Sequence, residues 1–294
     1  MKRTYYYTDK LKDDFANTKG VKNRKKIDGT YKYRHDNIFY KIGSFVLFRL
    51  FATPIGWLYC KLKLGRKVVN KRAIKGLKGF FLYGNHTQTA YDSFNPSLVS
   101  FPRKTKMIAN ADSVSIPVIG AITPMLGAMP LPDDIAATKN FLAEMKRAAT
   151  NGEVVIIYPE AHIWPYYNEI RPFVDASFAY PIKFGVPTVA MVTVYRQRKV
   201  FKNLPPKCTV YISDPIYPEQ YTDKHELRQK VYDFMTETIA KHGSVAYHTY
   251  IDKNAQAEAA NDIDNTANAV IGNVNRSTAA TNDGNTTSEA NANK

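Results

Sequence analysis

The stretch IGSFVLFRLFATPIGWLYC, residues 42–60, constrains this chain more than any other. A run of 19 almost wholly apolar residues must be buried in a core or laid into a membrane. As one helix it would reach about 28 Å, close to the hydrocarbon thickness of a bilayer. Three features argue against a simple crossing. Arg49 sits mid-run, where a charge costs about 2.5–3.5 kcal/mol at a bilayer centre. Pro54 has no backbone N–H and is expected to kink or break the helix. Both flanks are basic, with Arg24, Lys25 and Lys26 upstream, and with eight positive charges and no acid in KLKLGRKVVNKRAIKGLK (61–78) downstream. A crossing helix has one charge-biased side, whereas here both ends favour the same anionic surface. The run therefore reads as a bent, in-plane or half-inserted helix pair. A buried core helix beside a basic surface loop is the alternative at this point.

Residues 1–80 hold 21 Lys+Arg against 5 Asp+Glu, a net of +16, whereas the whole chain carries +15. The basic excess thus lies entirely in the first part of the chain and calls for an anionic partner. An apolar wedge with a polybasic flank supplies the two signals that stable membrane attachment needs, each cation contributing about 1 kcal/mol near an anionic leaflet. No base-reading helix or nucleic-acid motif accompanies the charge, so nucleic acid is not expected as a partner. Residues 1–35 read as a basic polar arm and 36–78 as membrane-associated helices with their polybasic flank. No apolar segment opens the chain, so no secretory signal is expected. Cys60 and Cys208 fit no ligand spacing, which points to ordinary thiols in a reducing compartment, with no disulfide framework and no metal.

From Gly79 the texture changes. GFFLYGNH, KTKMIANA, EVVIIYPE, VPTVAMVTVYRQ and KCTVYISDPI read as strands, most of them continuously apolar. PDDIAATKNFLAEMKRAATNG reads as a helix capped by Asp133 or Asp134 and closed by Gly152; DKHELRQKVYDFMTETIAKHG reads as another. The alternation predicts an α/β domain over 79–250, with a mixed, mostly parallel sheet flanked by helices. Residues 251–294, rich in Asn, Ala and Thr, are expected to be disordered.

Two segments carry chemistry. In YGNHTQTAYDSF (83–94), His86 follows a strand and a Gly-Asn turn, where α/β proteins place reactive groups. Asp92, six residues on, is placed to accept a hydrogen bond from one imidazole nitrogen and raise the basicity of the other, making His86 a candidate general base. Equally, Asp92 could be a helix cap and His86 a loop residue. In IIYPEAHIWP (156–165), Glu160 ends a buried strand at the same sheet edge, able to orient a hydroxyl or to hold a turn.

Taken in order, NHTQTAYD, YPEAHI and VPTVAM resemble the glycerolipid and lysophospholipid acyltransferase superfamily, of the 1-acylglycerol-3-phosphate acyltransferase type. Its first motif is Asn-His, four residues, Asp; its third is Phe-Pro-Glu-Gly-Thr-Arg; its fourth is a Val-Pro strand start. IPVIGAITPMLGAMPLP matches the region around the second motif, and the resemblance covers about residues 79–215. It implies that His86, oriented by Asp92, deprotonates an acceptor hydroxyl, which attacks an acyl-CoA or acyl-carrier-protein thioester. No cofactor or metal is needed. Asn85, Glu160 and His162 would line the acceptor site.

Three departures stand out. Five residues, not four, separate His86 from Asp92. Ala161, His162 and Ile163 replace Gly-Thr-Arg, and PLPDD lacks the basic residue of the second motif. Those arginines grip the acceptor phosphate in the family, and a bidentate grip is beyond Ile163. Arg171 is the first substitute, with Arg103, Lys104 and Lys106 as others. The expectation is a membrane-surface O-acyltransferase at the cytoplasmic face of the cell membrane, monotopic or peripheral, acting on a lysophospholipid or related glycerolipid in phospholipid biosynthesis. A hydrolase using the same pair and a non-catalytic lipid-binding protein are the alternatives.

Overall fold

The computed structural model describes residues 2–15, 21 and 23–258. In it the apolar run belongs to one unbroken helix, Ile38–Leu64, rather than to a broken pair. The helix starts as α1 (Ile38–Val46), widens into a π-helical stretch (Leu47–Ala52) and continues as α2 (Thr53–Leu64). Pro54 explains the widening: a proline here would abolish one i→i−4 bond and clash with the preceding turn. In the wider turn, Thr53 N–H reaches Phe48 O and Thr53 Oγ1 donates to the same carbonyl at 2.7 Å. The helix thereby absorbs the proline without ending. Gly65, in the left-handed region at φ 51°, closes it. Among the described residues this is one helix long and apolar enough to cross a membrane.

β1 (Thr4–Tyr7) precedes this helix; short β2 (Lys67–Val69) follows it, then β3 (Phe80–Gly84), α3 (Thr89–Ser100), β4 (Thr105–Ala109) and α4 (Ile119–Ile122). After them come β5 (Ala128–Pro130), α5 (Ile135–Thr150), β6 (Val154–Ile157) and α6 (Ala179–Phe184). The long β7 (Thr188–Arg196), β8 (Lys207–Ile212) and α7 (Lys224–His242) complete this unit. Seven strands form one sheet in the order β2-β8-β7-β3-β6-β4-β5. β7, β3, β6, β4 and β5 run parallel, and only the β7–β8 pairing is antiparallel.

Register divides the central strands cleanly between two cores. Phe80, Leu82, Val154, Ile156, Val189 and Met191 face one side with Cys60, Leu64, Tyr91 and Leu98, under α2 and α3. Phe81, Tyr83, Val155, Ile157, Ala190 and Val192 face the other, with Phe141 and Met145 of α5 and Leu227, Val231 and Met235 of α7. Burial on both faces is why these strands read as continuous apolar runs.

The basic arm contains two anchors that its average composition hides. Ile27 and Tyr33 are buried in the second core. Ile27 N–H donates to Asp133 Oδ2 at 2.8 Å, and Tyr33 Oη to Pro130 O at 3.0 Å. Asp133 is thus committed to the arm, and Asp134 caps α5 by accepting from Ala137 N–H at 2.7 Å. β2 lies within the polybasic flank and pairs with β8, so that flank is part of the sheet.

Among the described residues, 4–8 and 250–258 belong to a separate small unit. In it Tyr5 and Tyr250 stack at 5.1 Å, and Asn254 Nδ2 donates to Thr8 O at 3.0 Å. Most of the segment expected to be disordered, residues 259–294, lies outside the described residues.

Gly79, ahead of β3, has no room for a side chain: a Cβ there would fall 1.8 Å from the Ala149 carbonyl oxygen. Gly79→Ala must therefore displace the α5–β6 turn. We expect a cost of about 1–3 kcal/mol, read as a fall in Tm of roughly 3–10 °C by thermal denaturation.

Candidate active site

β3 delivers the site. Its last residue, Gly84, packs against Tyr158 and Met191, and a Cβ added there would fall 2.9 Å from the Tyr158 ring. Asn85 then locks the following loop to the neighbouring strand: its Oδ1 accepts from Thr193 N–H at 2.8 Å and its Nδ2 donates to Thr193 O at 3.2 Å. With both amide groups bonded to Thr193 and 1% exposure, Asn85 fixes the loop that follows β3. Thr87 adds a second tie, its hydroxyl 2.7 Å from that of Tyr195.

Between these ties, His86 Nδ1 lies 2.9 Å from Asp92 Oδ2. The same oxygen accepts the backbone N–H groups of Thr87 and Gln88, each at 2.8 Å. The longer loop therefore closes around the carboxylate: an extended Gln88 (φ −155°) takes up the additional residue before α3 begins. Asp92 lies in the first turn of α3, whose N-cap is Gln88 without a side-chain cap bond, so its carboxylate serves the His86 pair and the preceding loop rather than capping the helix. Burial raises its carboxyl above the usual carboxylate range, opposed by the His86 bond and the two N–H donors. Tyr158 stacks on the imidazole with centroids 4.2 Å apart and planes 12° off parallel, while its hydroxyl donates to Asp92 O at 2.7 Å. Among the described residues no group hydrogen-bonds His86 Nε2, and the side chain is 18% exposed. An imidazole with one nitrogen held by a carboxylate and the other open is built to accept a proton.

Glu160 lies beneath this pair. Its Oε2 accepts from His86 N–H at 3.2 Å and from Arg171 Nη2 at 3.1 Å, and its Oε1 accepts from Arg171 N–H at 3.2 Å. Both side chains of the Glu160–Arg171 pair are fully buried. Arg171 also donates to the carbonyls of His162 and Lys10 and packs over Trp164 at 5.0 Å. Burial pushes the Glu160 carboxyl upward, and Arg171 opposes it. The sequence assigns these two residues to an acceptor and its phosphate. In the structure they hold each other, and through the His86 N–H they hold the loop that carries His86. The reason is solvation: a guanidinium and a carboxylate shut away from water must pair.

His162 is partly exposed, with Nδ1 3.6 Å from Asp14 Oδ2. The remaining sequence-named cations cluster at the opposite sheet edge, before or at the start of β4. Arg103 donates to Leu77 O and Ile74 O, and Lys106 pairs with Glu144 at 3.1 Å. Tyr158 is the residue of this cluster that sequence reasoning missed. The available signal was its place at the end of a buried strand, two residues before Glu160.

The acyltransferase family model matches residues 65–194, a span that includes His86, Asp92, Tyr158, Glu160 and Arg171. Among solved structures, the 1-acyl-sn-glycerophosphate (LPA) acyltransferase PlsC from Thermotoga maritima is similar at 16% sequence identity, covering 71% of this chain and 97% of that one, with a TM-score of 0.47. No curated protein matches the chain.

Proposed function

We propose that this chain, whose residues 65–194 match the acyltransferase family model, moves a fatty acyl group from a thioester to a hydroxyl of a lysophospholipid or related glycerolipid at a membrane surface. The observation that carries this reading is the His86–Asp92 pair at 2.9 Å with Nε2 open. Nε2 takes the acceptor hydroxyl's proton. The oxygen attacks the thioester carbonyl carbon, and the tetrahedral intermediate collapses with C–S cleavage. The departing thiolate takes the proton back from the imidazolium. Acyl-CoA or acyl-carrier protein serves as co-substrate, and the chain supplies no covalent nucleophile.

The membrane side of the proposal is supported by the long helix. Gly56, Cys60 and Leu64 are buried in one stripe, whereas Phe39, Phe45, Leu50, Ile55, Trp57 and Leu62 are each more than half exposed. Ser44 Oγ donates to Met125 O at 2.6 Å, Arg49 to Pro102 O, and Phe94 fills the space beside Gly56. A helix held to the protein at both ends and in the middle offers lipid one side only, so it lies in a leaflet. Arg49, which argued against crossing, turns to Pro102 and packs over Phe101 at 4.7 Å. We place the protein at the cytoplasmic face of the cell membrane, as a monotopic or peripheral enzyme.

The acceptor's phosphate is not gripped by Arg171, whose hydrogen bonds are internal. Incubating the protein with liposomes, labelled acyl-CoA or acyl-carrier protein and a panel of lysophospholipid and phosphate-free glycerolipid acceptors tests the reading. New diacyl lipid is the expected result. Acyl release with no acylated product would replace transfer by hydrolysis.

A further inference from the structure

The β7–β8 hairpin carries a surface that the long helix does not account for. Its tip, QRKVFKNLPP (197–206), holds Val200 at 67%, Phe201 at 73% and Leu204 at 50% exposure. Single exposed apolar residues are ordinary, but here three lie within five positions. Around them stand Arg196, Arg198, Lys199, Lys202 and Lys207, with no acid between 196 and 207. Phe201 also occupies the left-handed region at φ 58°, which a bulky side chain rarely adopts. Folding gains little from an aromatic there, since the ring is mostly in solvent. An apolar tip ringed by cations has the chemistry of an anionic lipid surface.

Position supports the same reading. β7 runs parallel to β3, with Gly84 opposite Met191, so the hairpin leaves the sheet at the edge that carries His86. β7 continues for five residues past that register, which carries the tip about 16 Å beyond the end of β3. Nor is the tip a free loop. Arg198, only 8% exposed, donates to Pro205 O at 2.6 Å and to Lys63 O, the last turn of the long helix. Arg196 donates to Gly65 O and Cys208 O, each at 3.1 Å. The hairpin is thereby tied to the helix end whose neighbouring side chains, Trp57, Leu58 and Leu62, are exposed.

We propose that the hairpin tip is a second membrane-contact element, which inserts Val200, Phe201 and Leu204 into an anionic leaflet and holds the His86 edge of the sheet at the lipid surface. The proposal rests on the membrane-surface reading above. It assigns the two cations used internally, Arg196 and Arg198, to rigidity, and the two exposed ones, Lys199 and Lys202, to headgroup phosphates.

The test uses the full chain with an environment-sensitive fluorophore on Phe201→Cys or, separately, on Leu58→Cys. Native Cys60 and Cys208 are fully buried and spared by the label. Vesicles of phosphatidylcholine mixed with phosphatidylglycerol are the probe, with pure phosphatidylcholine as reference. Both labels are expected to shift to the blue on the anionic vesicles. A response at position 58 with none at 201 overturns the hairpin contact and leaves the helix reading standing. Silence at both overturns the two together. Lys199→Gln and Lys202→Gln should each weaken binding to the anionic vesicles roughly fivefold; unchanged affinity in the double variant would overturn the assigned role of these lysines.

Discussion

His86→Ala will lower acyl transfer by at least about 10²–10⁴-fold, the range a positioned general base supplies, with the fold retained. Among the described residues the side chain's one hydrogen bond is to Asp92, and Asp92 keeps the Thr87 and Gln88 N–H groups when the imidazole is gone. The loop itself is held by main-chain and Asn85 contacts that the substitution does not touch. Steady-state transfer into diacyl lipid, measured beside a circular-dichroism melt, checks both halves of this expectation. An unaltered rate would remove His86 from the reaction and favour a lipid-binding role for the protein. A rate loss matched by a large fall in Tm would show instead that the ring is structural.

The second large effect is on stability. Arg171→Met strips the partner from a fully buried carboxylate, and breaking such a pair costs about 3–5 kcal/mol. A fall in Tm of roughly 6–20 °C follows for a domain of this size. Adding Glu160→Gln should recover part of that loss, because the double variant no longer buries an unpaired charge. The measurement also separates two roles. An arginine that gripped acceptor phosphate would raise KM for phosphorylated acceptors and leave Tm alone. The geometry predicts the reverse order of effects, with activity lost because the loop bearing His86 loses its support.

How much of this was legible from sequence depends on how local the information is. β3, β6 and β7 were legible because both of their faces are buried, which leaves an unbroken apolar signature. The helix α5 was legible from its cap and period, although which aspartate capped it depended on Ile27, more than 100 residues away. β2 was hidden because three residues in a lysine-rich run carry no strand pattern; β8 recruits them through main-chain bonds. The continuity of the long helix was hidden because Pro54 is a breaker by local rules, and a π-helical turn is a local remedy that no residue pattern announces. The His86–Asp92 pair was visible in spacing alone. The inward turn of Glu160 was not, because it is decided by Arg171, eleven residues downstream and equally dry. Composition made Arg171 available as a cation for a ligand, and solvation assigned it to the protein.

The ring of Tyr158 lying 4.2 Å from that of His86 has one more consequence. Stacked on one face and pinned at Nδ1, the imidazole cannot turn over to exchange its two nitrogens. Its rotational freedom is surrendered when the chain folds, so none is lost when substrate arrives. The proton-accepting lone pair therefore points along a single fixed line. In the proposed reaction, which hydroxyl of an acceptor is acylated therefore becomes a matter of how the acceptor is held, since the base has no second pose to offer.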